Sequence, residues 1–215
     1  MPVIAVTGRK GGIGKSTIAG NLAAEFAAMG HTVTLIDADP QHSLADWAAQ
    51  GDGMLSWCVE KVKHGDPDQL RAKVRAASHS TDFVLIDTPP GIPDIAREAA
   101  MLADLVLLPC GPSPLEVFAL KDALSMVLKV RAERRSKKPR IRLVPSRVLM
   151  STNLGRNLSS SLEEMGRKVL PAIGQRIVVA EAVANGLTVR EHAPGSTAHA
   201  EFEQLAKAVN KIVYR

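Results

Sequence analysis

Short, almost wholly apolar runs recur along the chain, separated by longer stretches in which apolar and polar residues alternate with helical spacing. VIAVTG (3–8), TVTLIDAD (32–39), DFVLIDTP (82–89), DLVLLPC (104–110) and RIRLVPS (140–146) have the near-continuous apolar character of strands covered on both faces of a parallel sheet. QRIVV (175–179) is a candidate sixth strand. KSTIAGNLAAEFAAMG (15–30) is Ala-rich and helix-like, with Gly30 placed to end it. Residues 114–135 and 197–214 read as further helices. Alternation of this kind predicts an α/β fold, a doubly wound and mostly parallel sheet with helices on both faces. No repeat, low-complexity tract or linker interrupts it, so residues 1–215 read as one domain. Ligands of such sheets bind beyond the carboxyl ends of the strands, which makes the loops there the place to look for chemistry.

Composition adjusts this picture only slightly. Hydrophobic residues at 46% and charged residues at 23% suit a soluble globular protein, and with aromatics at 3% the core must be built from Ala, Val, Leu and Ile. A formal charge of +5 admits an acidic partner such as nucleic acid without requiring one. Cys58 and Cys110 form neither a metal spacing nor a disulfide framework, which fits a reducing cytoplasm. His31, His42, His64, His79, His192 and His199 are scattered without metal spacing, and most are expected at the surface. The N-terminus lacks the basic segment and apolar run of a signal peptide, and no apolar stretch approaches the roughly 20 residues of a membrane span.

The loop after the first strand carries the strongest signal. It reads Lys10-Gly11-Gly12-Ile13-Gly14-Lys15-Ser16-Thr17 and opens directly into a helix-like segment. Glycines let backbone N–H groups turn inward around a polyphosphate. Lys15 reaches its outer phosphates, the Ser16 hydroxyl is a Mg²⁺ ligand, and the helix N-terminus adds its positive dipole end. Arg9 stands where the common pattern G-x-x-x-x-G-K-[ST] has its first glycine, and Lys10 is a second lysine five residues before Lys15.

K-G-G-x-G-K-[ST] with an early lysine resembles the deviant P-loop ATPases of the ParA/MinD group. LIDADPQHSLADW (35–47) is similar to that family's first switch segment, and FVLIDTPPG (83–91) to its magnesium-binding strand and second switch. The start at the first strand resembles the small ParA type, which lacks an N-terminal helix-turn-helix domain. The resemblance implies Mg²⁺–ATP as cofactor and a homodimer formed when ATP is bound. In that dimer Lys10 acts in trans at the partner's phosphates while Lys15 acts in cis. It also implies that Asp39 positions the attacking water, that Asp37 supports the metal environment, and that Asp87 holds Mg²⁺ through a water. If the strand persists through Ala38, Asp37 and Asp39 share a face. Pro40, Pro89 and Pro90 stiffen the loops after these strands and Gly91 leaves a pivot, as in switch loops that sense a γ-phosphate, although such loops are also commonly plain turns. The adenine pocket is expected in VPSRVLMSTN (144–153), with Ser146 and Arg147 as its candidates and Gln175 and Arg176 as alternatives.

Partners are less sharply drawn. Residues 129–142 carry Lys129, Arg131, Arg134, Arg135, Lys137, Lys138, Arg140 and Arg142 against Glu133. Such a run is either a solvated face or a contact to nonspecific double-stranded DNA through its phosphates; without interleaved aromatics, single-strand stacking is disfavoured. The family resemblance points instead to basic residues near the C-terminal helices, here Arg167, Lys168, Arg190, Lys207, Lys211 and Arg215. It also implies a cargo adaptor protein that stimulates hydrolysis, and a cytoplasmic, nucleoid-associated location. The last helix argues against a membrane anchor, because Phe202, Leu205, Ala206, Val209, Ile212 and Val213 form an Ala-diluted stripe with a mixed polar face. A membrane-bound positioning ATPase or a metabolic enzyme of the same superfamily is the alternative. The iron–sulfur reductases that share this loop need paired cysteines, and Cys110 is expected in the core.

Overall fold

The computed structural model describes residues 1–63, 66–134 and 136–214. His64, Arg135 and Arg215, named above, lie outside the described residues. Six strands form one all-parallel sheet: β1 (Val3–Val6), β2 (Val33–Asp37), β3 (Val59–Lys61), β4 (Phe83–Asp87), β5 (Leu105–Cys110) and β6 (Arg140–Pro145), in the order β3-β2-β4-β1-β5-β6. The helices are α1 (Lys15–Ala28), α2 (Ser43–Ala49), α3 (Pro67–Ala77), α4 (Pro93–Leu102), α5 (Pro114–Glu133), α6 (Asn153–Glu163), α7 (Ile177–Ala184), α8 (Val189–His192) and α9 (Thr197–Val213).

Side-chain alternation along the strands splits the core into two layers. Ile4 and Val6 of β1 join Ile18, Leu22 and Phe26 of α1, Trp47 of α2 and Phe202, Leu205 and Val209 of α9 on one face. Val3 and Ala5 join Leu70 of α3, Ile95 and Ala99 of α4, Val127 of α5 and Leu162 of α6 on the other. The helices after the adjacent strands β1 and β4 therefore lie on opposite faces. That reversal opens a crevice at the carboxyl ends of these two strands, where the P-loop sits.

Two expectations are corrected. Residues 175–179 are not a strand: α7 begins at Ile177, and the place beside β6 is taken by the preceding segment, through the bridge Leu143↔Val169. The β-branched residues suggested a strand, but Val179 and Val183 pack on the core from a helix along with Ala182. The second strand ends at Asp37 rather than running to Asp39, because the Asp39 N–H turns back to the Asp37 carboxylate at 3.0 Å. β3, three residues of mixed polarity at the sheet edge, had no pattern to announce it.

Candidate functional site

Register explains how acidic residues distant in sequence meet. Asp37 pairs with Asp87 across β2 and β4, and Asp87 pairs with Val6 across β4 and β1, so both carboxylates reach the crevice beside the loop that leaves β1. That loop enters α1 through Gly14 at φ 89°, a conformation that favours glycine. A side chain at Gly14 would also stand 2.7 Å from the Ser146 hydroxyl. Lys15 is buried, and its Nζ donates to the carbonyl of Lys10 at 3.1 Å. Burial lowers the Lys15 pKa, while Asp87 and Asp39 oppose that change. The ammonium is thus folded over its own loop, with two carboxylates facing it.

Asp87 is wholly buried, and neither carboxylate oxygen has a hydrogen-bond partner among the described residues. Its pKa is pushed up to about 7, first by burial, with Asp37 adding repulsion and Ser16 and Lys15 working against the rise. An orphaned buried carboxylate beside a serine hydroxyl at a helix N-terminus fits a divalent cation, which would restore the missing charge. Among the described residues no cluster of three or more His, Cys, Asp or Glu has metal-holding geometry, so such an ion would draw further ligands from phosphate and water.

Asp37 is equally buried but fully engaged. Its Oδ1 accepts from the Asp39 N–H and its Oδ2 from the Ala45 N–H, each at 3.0 Å. This ties the loop after β2 to the start of α2, so its geometry is that of a brace. Asp39 lies half-buried in that loop, not on the strand face, and its Oδ1 accepts from the Gln41 N–H at 2.9 Å. Lys10 is half-buried and has no ion-pair partner among the described residues. Thr88, unnoticed in the sequence, is buried and ties β4 to β1 by donating to the Val6 carbonyl at 3.1 Å.

A cleft of about 1190 Å³ joins these groups to the proposed base region. Gly11, Gly12, Gly14, Lys15, Ser16, Thr17, Asp39 and Pro90 line one end; Ser146, Arg147, Gln175 and Arg176 line the other, with Ile13 buried beneath the loop. Leu149, from the expected segment 144–153, is joined by Ile173, Ile177, Val179 and Val183, which sequence reasoning missed, in an apolar wall. Only the fold brings these segments together, so no local pattern flagged them. Arg147, at φ 54°, donates to the Gly12 carbonyl and lies 3.4 Å from the Glu116 carboxylate, which itself accepts from the Gly111 N–H at 2.7 Å. It therefore spans the phosphate loop and the strand ends of the base region.

Residues outside the cleft also find their places. Cys110 is in the core, its thiol pKa pushed up to about 12 by burial and Glu116. His199 is half-buried: it lies beside the buried Glu25 and the guanidinium of Arg190, and Arg190 pairs with Glu25 at 3.0 Å. His42 also turns inward, leaving a buried Nδ1 without a partner among the described residues. Ala198, Phe202, Leu205, Ala206 and Val209 of α9 are buried against the sheet, and no described helix is long and apolar enough to cross a membrane.

Residues 4–189 match the CobQ/CobB/MinD/ParA nucleotide binding domain. The chain is 31% identical over 212 residues to the maintenance of carboxysome distribution protein A of Halothiobacillus neapolitanus, covering 96% of this chain and 95% of that protein. It is 30% identical to the chromosome-partitioning ATPase Soj of Thermus thermophilus, covering 96% of this chain and 94% of Soj. A Cyanothece McdA–ATP complex superposes with a TM-score of 0.79 over 100% of this chain and 96% of that one at 17% identity, a likeness of fold.

Proposed function

The chain belongs to the CobQ/CobB/MinD/ParA nucleotide-binding family, and from that premise we propose that it is an ATP-dependent dimerising ATPase that positions a cargo on nucleoid DNA. The observation that carries the reading is the pairing of a self-capped P-loop lysine with the unpartnered Asp87 carboxylate at one crevice. Each group lacks what the other half of a Mg²⁺–nucleotide would supply. Ser16, and Asp87 through a water, would hold the metal, which when bound would neutralise charge on the phosphates. Backbone N–H groups of Gly11 to Thr17 and the α1 N-terminus hold the phosphate oxygens. Lys15 exchanges the Lys10 carbonyl for a phosphate oxygen in its own site. Lys10 extends to the partner's site, where its charge offsets charge developing on the transferring phosphoryl group. Asp39 orients the attacking water, and Asp37 keeps that loop in register.

Arg147 and Ser146 meet the base or ribose, with the apolar wall of Leu149, Ile173 and Val183 against the ring. The relatives named above act on carboxysome distribution and on chromosome partitioning, which supports the cargo-positioning class. A partner on the cargo stimulates hydrolysis and releases the dimer from DNA. The test is binding of the purified protein to random-sequence duplex with ATP, with ADP and without nucleotide, at two salt concentrations, alongside phosphate release. ATP-dependent, salt-sensitive binding with slow hydrolysis is expected. Binding in no nucleotide state sinks DNA as the matrix, and absence of ATP turnover sinks the ATPase reading.

A further inference from the structure

Basic residues from the two groups that the sequence offers lie on the elements that surround the first half of β6. Ile141 and Leu143 of this strand enter the core layer of α5 and α6, so Arg140 and Arg142 project to the other face, toward α9. Arg140 donates to the Ile212 carbonyl in the last turn of α9, next to Lys211. The Leu143 N–H donates to the Lys168 carbonyl at 3.1 Å, so the segment after α6 runs along the edge of β6. From the remaining side, Arg131 near the end of α5 and Lys137 in the loop returning to β6 flank one shallow cleft.

Pairing separates these cations from four others. Arg176, Arg190 and Lys207 are bound to Glu201, Glu25 and Glu203, and Lys138 to Asp104. Arg131, Lys137, Arg140, Arg142, Lys168 and Lys211 have no ion-pair partner among the described residues. Arg140 is held by a carbonyl, which orients its guanidinium without neutralising it. The Arg142 pKa is lowered first by burial and then by the Arg140 charge, as expected of like charges held close. The patch is remote from the P-loop, which leaves the nucleotide face clear.

Accordingly we infer that this six-residue surface around β6 is where the protein meets the phosphate backbone of duplex DNA, an inference that rests on the DNA-binding reading above. Unpaired cations on separate elements, without interleaved aromatics, suit contacts to phosphates and carry no base readout. One patch binds weakly; an ATP-held dimer presents two, which turns the second contact into an intramolecular one.

The test uses the full chain with ATP and a fluorescent random-sequence duplex, read by anisotropy across a salt series. Arg131→Gln/Lys137→Gln and Lys168→Gln/Lys211→Gln are compared with Lys63→Gln/Arg75→Gln, which removes equal charge elsewhere. Each patch pair is expected to weaken binding about tenfold or more at moderate salt and to flatten the log–log salt slope by about two per subunit. The control pair, ATP hydrolysis and ATP-dependent dimerisation are expected to stay as in the wild type. If wild type binds DNA and the patch variants bind equally well, the surface is wrong and the DNA reading stands. If wild type binds DNA in no nucleotide state, the DNA reading itself fails. Capture by anionic vesicles through the same residues, without DNA binding, overturns the proposal in favour of a membrane.

Discussion

Asp87 and Asp37 show how one residue type serves two ends. Both are wholly buried at the ends of neighbouring strands, yet Asp37 satisfies both oxygens with backbone N–H groups and Asp87 satisfies neither. With its pKa raised from 3.8 to about 7, Asp87 is an acid that the fold prefers neutral. The folded state then binds the extra proton between those values, so the nucleotide-free protein loses stability as pH rises through that window, by on the order of a few kcal/mol. Asp87→Asn is expected to flatten this dependence and to raise the melting temperature of the nucleotide-free protein at about pH 8. The same variant should lose the stabilisation that Mg²⁺–ATP confers on wild type. Thermal unfolding at several pH values, with and without Mg²⁺–ATP, checks both; an unchanged pH profile counts against the buried-charge account.

At the scale of elements, α1 is the piece on which the site depends. It carries Lys15 and Ser16 at its start and packs on α2 through Gly20, where an added Cβ would stand 2.4 Å from Cζ3 of Trp47. Gly20→Ala is therefore expected to destabilise by about 1–3 kcal/mol through overpacking, and to raise the ATP requirement because α2 anchors the Asp39 loop. Denaturant unfolding and nucleotide titration measure the two effects. Five strands were legible because near-continuous apolar runs have few other uses, and the P-loop was legible because glycine spacing and lysine position are set by phosphate shape. β3 was too short and polar to see. α7 was misread because Ile177, Val178 and Val179 have strand propensity while their packing partners lie far off in sequence. The Asp residues were found, but which lone pairs remain open depends on Ala45 and Asp39 backbone positions that no motif encodes. The apolar wall of the cleft was hidden for the same reason.

At the scale of the whole molecule, the trans role of Lys10 can be separated from a cis role by mixing subunits. Asp39→Ala is expected to bind ATP and dimerise without hydrolysing it, and Lys10→Ala to turn over poorly. A mixed dimer contains one complete site if Lys10 crosses the interface, since the Lys10→Ala subunit keeps its own Asp39 and borrows its partner's lysine. Random mixing should then restore about a quarter of wild-type turnover from two inactive proteins. If Lys10 serves its own site, the mixture stays inactive.

The bond from Lys15 Nζ to the Lys10 carbonyl ties two tasks to one peptide. If Lys15 serves a subunit's own phosphate and Lys10 its neighbour's, the first lysine holds the main chain of the one that is lent. Arrival of phosphate at Lys15 would then remove that tether, and a loaded subunit would lend more freely than an empty one. On this reading the pair behaves as a coincidence detector, firing when both halves are charged and staying silent when one is, with no message passed through the body of the fold.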